Sequence, residues 1–573
     1  MEEQEPKQSS SQRRRPPPGP PREFREHFFH TLPDYGGRYS VGTMEIEVAV
    51  RAPRTFSHIK RNHQHMLRLD TVLFSLYYPC DPSTYAAVSS ESRKPSRATW
   101  LPRPRTLTCK GYARFFNVPY MPVTAYIAAT TMFTKLPAFR NARLAGSSSP
   151  GSASQGPATD ADSQGKLAEE VDPKFPVIFF SHGLGGSRTY CSAVCGELAS
   201  NGFVVVAMEH RDGSGARSYV NIPPSGKLAD GLEIDNTKSK GYYKVDYLFP
   251  KDNALDTSPR NDRGVDMELR NAQIDMRMAE IDEAYYVLGL INSGQGDLVY
   301  KSNLRKKGNV GSSSKGLESV DWSSWEERLL LQNVTAMGHS FGGATTVQMV
   351  RQSAQFPWIG QGILLDAWGQ ATPQHGDVVR SPLQKPILTI NSEAFMLWPE
   401  NFERLSEVVK EATDGGAPCW MLTIKGSTHL SQTDFAILYP HWMSYMVKTI
   451  VNPRRAVYLT VNSSLEFLKR VLPPEHIIGN TWIDEGVLKT KEHVGDKLPL
   501  DHRPSDKWTA ARLKIPNELQ LRLNSVFGRK PKPPDVATDV NGKALLGVVN
   551  FAPGNEVWMH FRPSEPETTA TPE

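Results

Sequence analysis

Cysteine is scarce in this chain, and its few copies are scattered. Cys80, Cys109, Cys191, Cys195 and Cys419 are the only five among 573 residues, an odd number that argues against a complete disulfide framework. Reduced thiols are the expectation. Cys191 and Cys195 would share one face of a helix, yet without His or Cys partners near them no zinc site is expected. A strong charge of either sign is missing too: 66 basic and 61 acidic residues leave +5, too slight an excess to imply nucleic-acid binding. No stretch reads as a membrane span. The charge-free run from Phe115 to Thr134 is broken by Pro119, Pro122 and several threonines, so it reads as a buried segment or as one resting on a lipid surface. The opening Met1-Glu2-Glu3-Gln4-Glu5 has neither the basic start nor the apolar core of a secretory signal, and no Gly follows Met1 for myristoylation. The expectation is a cytoplasmic protein, peripheral at membranes at most.

What is present is the patterning of a large α/β enzyme. Residues 1–33, rich in Gln, Ser, Arg and Pro, read as a disordered tail. Residues 34–530 read as one catalytic domain. A low-complexity insertion at about 143–172 and polar excursions at about 223–263 and 292–322 interrupt it. Residues 531–573 read as a largely irregular extension with one possible strand, Ala544 to Val549. Within the domain, Thr71 to Pro79 is β-prone. Six short runs are apolar on both faces: 177–180, 203–207, 334–337, 362–365, 386–390 and 420–424. Strands buried on both sides belong to a parallel sheet covered by helices. Ile274, Met278, Ile281, Tyr285 and Leu288 recur at helical spacing and predict one such covering helix.

The chemistry centres on Gly338-His339-Ser340-Phe341-Gly342, which lies between a predicted strand and the helix-like Ala344 to Val350. A strand-to-helix turn this tight needs glycine on both sides and thrusts the serine outward, the nucleophile elbow of an α/β-hydrolase fold. Alone, G-x-S-x-G is a weak signal among 43 glycines; its setting between strand and helix strengthens it. A serine hydroxyl needs a base to become a nucleophile. His429, in Gly426-Ser427-Thr428-His429 just after the last apolar strand, stands at the right sheet edge. His339 adjoins the nucleophile and cannot easily face it, His182 belongs to the loop assigned below to the oxyanion hole, and His210 and His375 are poorly placed. The acid that orients the imidazole has two contenders, Asp366 in Leu364-Leu365-Asp366-Ala367-Trp368 and Glu393 in Asn391-Ser392-Glu393, and the pattern leaves both open. For the oxyanion hole, Phe341 supplies one backbone N–H, and Ser181-His182-Gly183-Leu184-Gly185-Gly186 offers the Leu184 amide as the second.

Six ordered segments, Phe180 to Gly185, Glu209 to Asp212, Gly338 to Thr345, Leu365 to Trp368, Ile390 to Glu393 and Gly426 to His429, together resemble the platelet-activating factor acetylhydrolase family. The resemblance spans about Tyr39 to Leu472. It implies an α/β-hydrolase with Ser340 as nucleophile, His429 as base and Asp366 as orienting acid, leaving Glu393 as the alternative. It also implies an oxyanion hole from Leu184 and Phe341, and Trp368 as a wall of the acyl pocket. The implied reaction is hydrolysis of short or oxidised sn-2 acyl esters of phospholipids through an acyl-enzyme, without metal or other cofactor. Partners would be the phospholipid and, transiently, a membrane surface. The chain departs from the family pattern at Leu430, where Gln is frequent. Two other readings of the same residues are a general carboxylesterase or polyester hydrolase of this fold, and a hydrolase-like binding protein without catalysis.

Overall fold

The computed structural model of the chain describes residues 16–61, 63–83, 97–146, 172–224, 228–229, 241–259, 261–311, 316–373, 383–477, 484–493, 515, 518–527, 545 and 547–564. An eleven-stranded sheet runs through it. Its strands are β1 (Ser40–Thr55), β2 (Arg68–Asp81), β3 (Phe139–Arg140), β4 (Arg143–Leu144), β5 (Phe175–Ser181), β6 (Val204–Met208), β7 (Leu329–His339), β8 (Ile359–Leu365), β9 (Ile387–Ser392), β10 (Cys419–Ile424) and β11 (Val557–Phe561). The spatial order is β11-β10-β9-β8-β7-β5-β6-β2-β1-β3, with β4 on β2. From β6 to β10 neighbouring strands are parallel. β1, β2 and β11 join antiparallel. All six apolar runs of the sequence lie on β5 to β10, and Thr71 to Pro79 lies within β2.

The helices used below are α1 (Arg105–Phe115), α2 (Tyr120–Thr130), α3 (Ser192–Ser200), α4 (Met267–Asn292), α5 (Phe341–Arg351), α6 (Pro399–Asp414), α7 (Asp434–Leu438), α8 (Pro440–Met446) and α9 (Pro453–Val471). Strand alternation divides the apolar runs between two cores. Val177, Phe179, Val204, Val206 and Leu364 meet α4, α5 and α6 on one face. Ile178, Phe180, Val205, Ala207, Ile363 and Leu365 meet α3 and α9 on the other. The result is an α/β-hydrolase fold, three layers with the parallel strands in the middle. On α4 the predicted stripe holds: Ile274, Met278, Ile281 and Leu288 are buried, and Tyr285 stacks on Trp358 at 4.0 Å.

Three expectations differ from the structure, and a fourth, left open between a buried and a surface segment, is narrowed. Residues 16–33 are not a free tail: Leu32 is buried, and Glu26 is buried in an ion pair with Arg97. The extension beyond 530 adds β11 to the sheet, burying Met559, because Val557-Trp558-Met559-His560-Phe561 offers an apolar, β-prone edge that β10 can pair. Among the described residues of 545–550 there is no strand, only an isolated bridge from Val549 to Val451. The charge-free run 115–134 is mostly helical. It forms α2, no residue of which is buried. Residues 1–15 and most of the insertion at 143–172 lie outside the described residues.

Candidate active site

The elbow is built as its sequence requires. β7 ends at His339, α5 starts at Phe341, and Ser340 between them has φ +58° and ψ −120°, a strained conformation for a residue with a side chain. Close packing keeps it there. A Cβ at Gly338 would strike the Gly342 carbonyl, and one at Gly342 would strike the Ser181 carbonyl on the neighbouring strand. Register does the rest. Gly338 pairs with Ser181, and His339 pairs with Leu365, so the loops after β5 and β8 both open beside Ser340. The Ser340 N–H donates to the Leu365 carbonyl at 2.9 Å, and the Trp368 N–H donates to the Ser340 carbonyl at 3.0 Å.

Asp366 and His429 meet directly, His429 Nδ1 lying 2.7 Å from Asp366 Oδ2. The carboxylate is further held by the Ser392 N–H at 2.6 Å and the Ser392 hydroxyl at 2.8 Å. With Nδ1 engaged, Nε2 is the ring nitrogen available to a neighbouring hydroxyl. Among the described residues no hydrogen bond yet joins Ser340 Oγ to His429, a contact that in unliganded sites often tightens only with substrate bound. The imidazole is clamped from both sides. Phe395 stacks on it at 4.2 Å, and the His339 ring lies 4.6 Å away with its Nε2 3.0 Å from the His429 carbonyl. Burial holds the His339 imidazole far below its ordinary pKa, so it acts there as a neutral donor.

Glu393 is elsewhere employed. It accepts the Gly426 N–H at 2.6 Å and so braces the loop leading to His429, and burial raises its pKa to about 7. The two oxyanion candidates flank Ser340 in different ways, Phe341 as its chain neighbour and Leu184 as the neighbour of Gly183. Gly183 packs against Ser340, and among the described residues neither the Leu184 nor the Phe341 N–H has an acceptor. Backbone donors left without acceptors beside a serine at an elbow suit a developing oxyanion. Trp368 is buried against Phe341, with ring centroids 5.9 Å apart, and among the described residues its indole N–H has no partner.

The sequence around this site has relatives among known proteins. The family described as platelet-activating factor acetylhydrolase, isoform II, matches residues 152–482, more than half of the chain. The chain belongs to that family. The chicken platelet-activating factor acetylhydrolase is 32% identical over 301 residues, covering 52% of this chain and 62% of its own length. The bovine protein of that name is 32% identical over 301 residues, 52% of this chain and 57% of its own. The chain therefore spans less than two thirds of the length of these relatives. A putative phospholipase A2 of Schizosaccharomyces pombe is 26% identical over 469 residues, 76% of this chain and 91% of its own. A ferulic acid esterase from Streptomyces cinnamoneus aligns with a TM-score of 0.43 at 18% identity, over 77% of this chain and 93% of its own.

Within this family member the candidate oxyanion loop rests on a buried polar lattice that sequence reading missed. Arg277 of α4 donates from Nε to Asp212 at 2.7 Å, from Nη1 to the His182 carbonyl at 2.8 Å and from Nη2 to Ser214 at 2.5 Å. Its guanidinium also lies 4.4 Å from the centre of the Phe341 ring. One side chain thus touches both segments that carry the candidate oxyanion amides. Next to it, Glu280 accepts the Arg211 N–H at 2.8 Å and meets His210 Nδ1 at 2.5 Å, while His210 Nε2 reaches Ser181 Oγ at 2.8 Å. Burial lowers His210 and raises Glu280, so the two form a neutral pair. His182 is likewise kept neutral by burial, lowered to about 4. His375 lies outside the described residues. The signal for this lattice was the spacing of Arg270, Gln273, Arg277 and Glu280, which places four polar side chains on one inward face of α4. Arg277→Met would strand Asp212 without its cation. Urea unfolding should show a loss of about 3–5 kcal/mol, and an unchanged midpoint would remove Arg277 from this role.

Proposed function

We propose that this protein is a serine esterase that hydrolyses the sn-2 acyl ester of phospholipids carrying short or oxidised chains. The observation that carries the reading is the Asp366–His429 pair at 2.7 Å, reached by the sheet edge that also bears Ser340 at positive φ. In this mechanism Ser340 Oγ attacks the ester carbonyl carbon while its proton passes to His429 Nε2. Asp366 stabilises the imidazolium. The carbonyl oxygen, now anionic, takes hydrogen bonds from the Leu184 and Phe341 amides. Collapse expels the lysophospholipid oxygen, which takes the proton from His429, and a water then frees the acyl group by the same steps. Trp368 walls the acyl end of the pocket. Among the described residues no group of three or more His, Cys, Asp and Glu is placed to hold a metal ion.

The lipid part of the reading is supported by surface chemistry. The residues of α2 carry no charge and none is buried. Met121 is 69% exposed, and Trp442 and Tyr445 of α8 are 54% and 76% exposed. Tyr126 joins the two helices, 6.1 Å from Trp442 and 5.8 Å from Tyr439. Rings then lead inward from Tyr439 through Phe435 and Tyr190 to His339, next to Ser340. An exposed apolar, aromatic face linked by a chain of rings to the elbow suits transient docking at a lipid–water interface. Among the described residues no helix is long and apolar enough to cross a membrane. All five cysteines are buried free thiols, which supports a reducing, cytoplasmic setting.

The test compares purified protein on two phospholipids that differ only in sn-2 chain length and on a water-soluble ester. Turnover should be fastest on the short sn-2 chain. Preference for the soluble ester would instead make it a general carboxylesterase, and failure of a fluorophosphonate probe to label Ser340 would make it a binding protein.

A further inference from the structure

We infer that a buried ion pair between Asp256 and Arg270 backs the acyl pocket and sets the longest acyl chain the site accepts, a conclusion that rests on the esterase reading above and on Trp368 as the acyl wall. Asp256 belongs to the segment that leads into α4. Around it Lys251, Asp252, Ala254 and Leu255 are exposed, yet Asp256 itself is only 3% exposed. A surface segment that turns one carboxylate into the interior needs a partner waiting there. The partner is Arg270 of α4, fully buried, which donates from Nε to Asp256 Oδ2 at 2.8 Å and from Nη2 to Oδ1 at 2.9 Å, while its Nη1 donates to Gln273 at 2.8 Å.

The guanidinium lies against the rings of the site. Its carbon is 5.6 Å from the centre of the Phe341 ring and 5.5 Å from that of Trp368. Phe341 directly follows the nucleophile, and the Trp368 N–H is bonded to the Ser340 carbonyl. The same segment reaches the other side of the site through Tyr247. Its hydroxyl accepts from Arg270 Nη2 at 3.3 Å, and its ring meets that of Phe115 at 4.8 Å, which packs so closely on Gly185 of the candidate oxyanion loop that a Cβ there would strike it. The Leu248 N–H, donating to the Gly213 carbonyl at 2.7 Å, ties the segment down. A floor of hydrocarbon alone can yield by changing rotamers. This floor cannot, because a longer chain would have to drive Phe341 or Trp368 into Arg270 and part it from Asp256, and separating two buried charges costs more than burying another methylene returns.

The experiment measures kcat/KM of the full-length protein on p-nitrophenyl acetate, butyrate and octanoate, which share a leaving group and need no lipid surface. Wild type should favour the short chains. Asp256→Asn keeps the shape of the side chain and removes its charge, and it should raise the octanoate-to-acetate ratio about tenfold, the worth of roughly one further methylene admitted. The double variant Asp256→Leu with Arg270→Met replaces the pair by hydrocarbon, a change that buried sites tolerate, and decides the matter if the asparagine variant does not fold. It should raise the ratio at least as far, because a thioether chain yields where the ion pair does not. A general loss of structure would lower all three activities together. Such parallel losses, an unchanged ratio in the folded variants, or a wild type that prefers octanoate overturns the length limit and leaves the esterase reading standing. A wild type that hydrolyses none of the three esters overturns both.

Discussion

Ser340→Ala and His429→Ala should each reduce hydrolysis of a short-chain sn-2 phospholipid ester by roughly a millionfold, close to the background left by the oxyanion hole alone. The two losses should not add, because nucleophile and base act as one unit, so the double variant should be no slower than either single one. Both side chains sit at loops rather than in the cores, and circular dichroism and urea midpoints should therefore remain near wild type. Steady-state turnover of the three variants, measured on protein of confirmed fold, is the check. More than a few per cent residual activity in either single variant would move the chemistry to another residue.

Asp366→Asn should follow at roughly ten-thousandfold, since an amide at that position favours the wrong imidazole tautomer and cannot stabilise the imidazolium. Glu393→Gln should cost no more than a few-fold, because a glutamine oxygen can still accept the Gly426 N–H. The ranking decides which carboxylate works on His429, and its reversal would transfer the role to Glu393. Glu393 also makes a pH prediction. Its pKa in the folded chain is about 7, above the ordinary carboxylate range, because it is buried. Between those two values the folded state binds the extra proton, so stability should fall as pH rises from about 4 to 7. Glu393→Gln should flatten that part of the urea-midpoint profile, and an unchanged slope would contradict the shift.

The sheet was legible because strands covered on both faces must be apolar throughout, and such runs stand out between polar loops. The elbow was legible because sterics allow so few residues around Ser340. Between Asp366 and Glu393 pattern alone could not choose, since both lie at strand ends; the family resemblance favoured Asp366, and it is Asp366 that His429 contacts. The lattice around Arg277 was hidden for a different reason: Asp212, His182 and Ser214 are 60 or more positions away in sequence, and a buried arginine looks like a surface one until its partners are known. Helix α2 was left open between two readings. Its composition suits a core or an interface equally, and only the burial of its residues separates the two.

Glu47 sits in the middle of β1, well before the segment that matches the family. Its carboxylate takes Arg211 at 2.6 Å, Arg305 at 3.0 Å and the Asn221 side chain at 2.8 Å. Cutting the gene at the family match would therefore not yield a minimal enzyme. It would leave two guanidiniums sealed in a dry interior with their counter-ion deleted, along with sheet edges stripped of β1, β2 and β11, and such a fragment belongs in inclusion bodies.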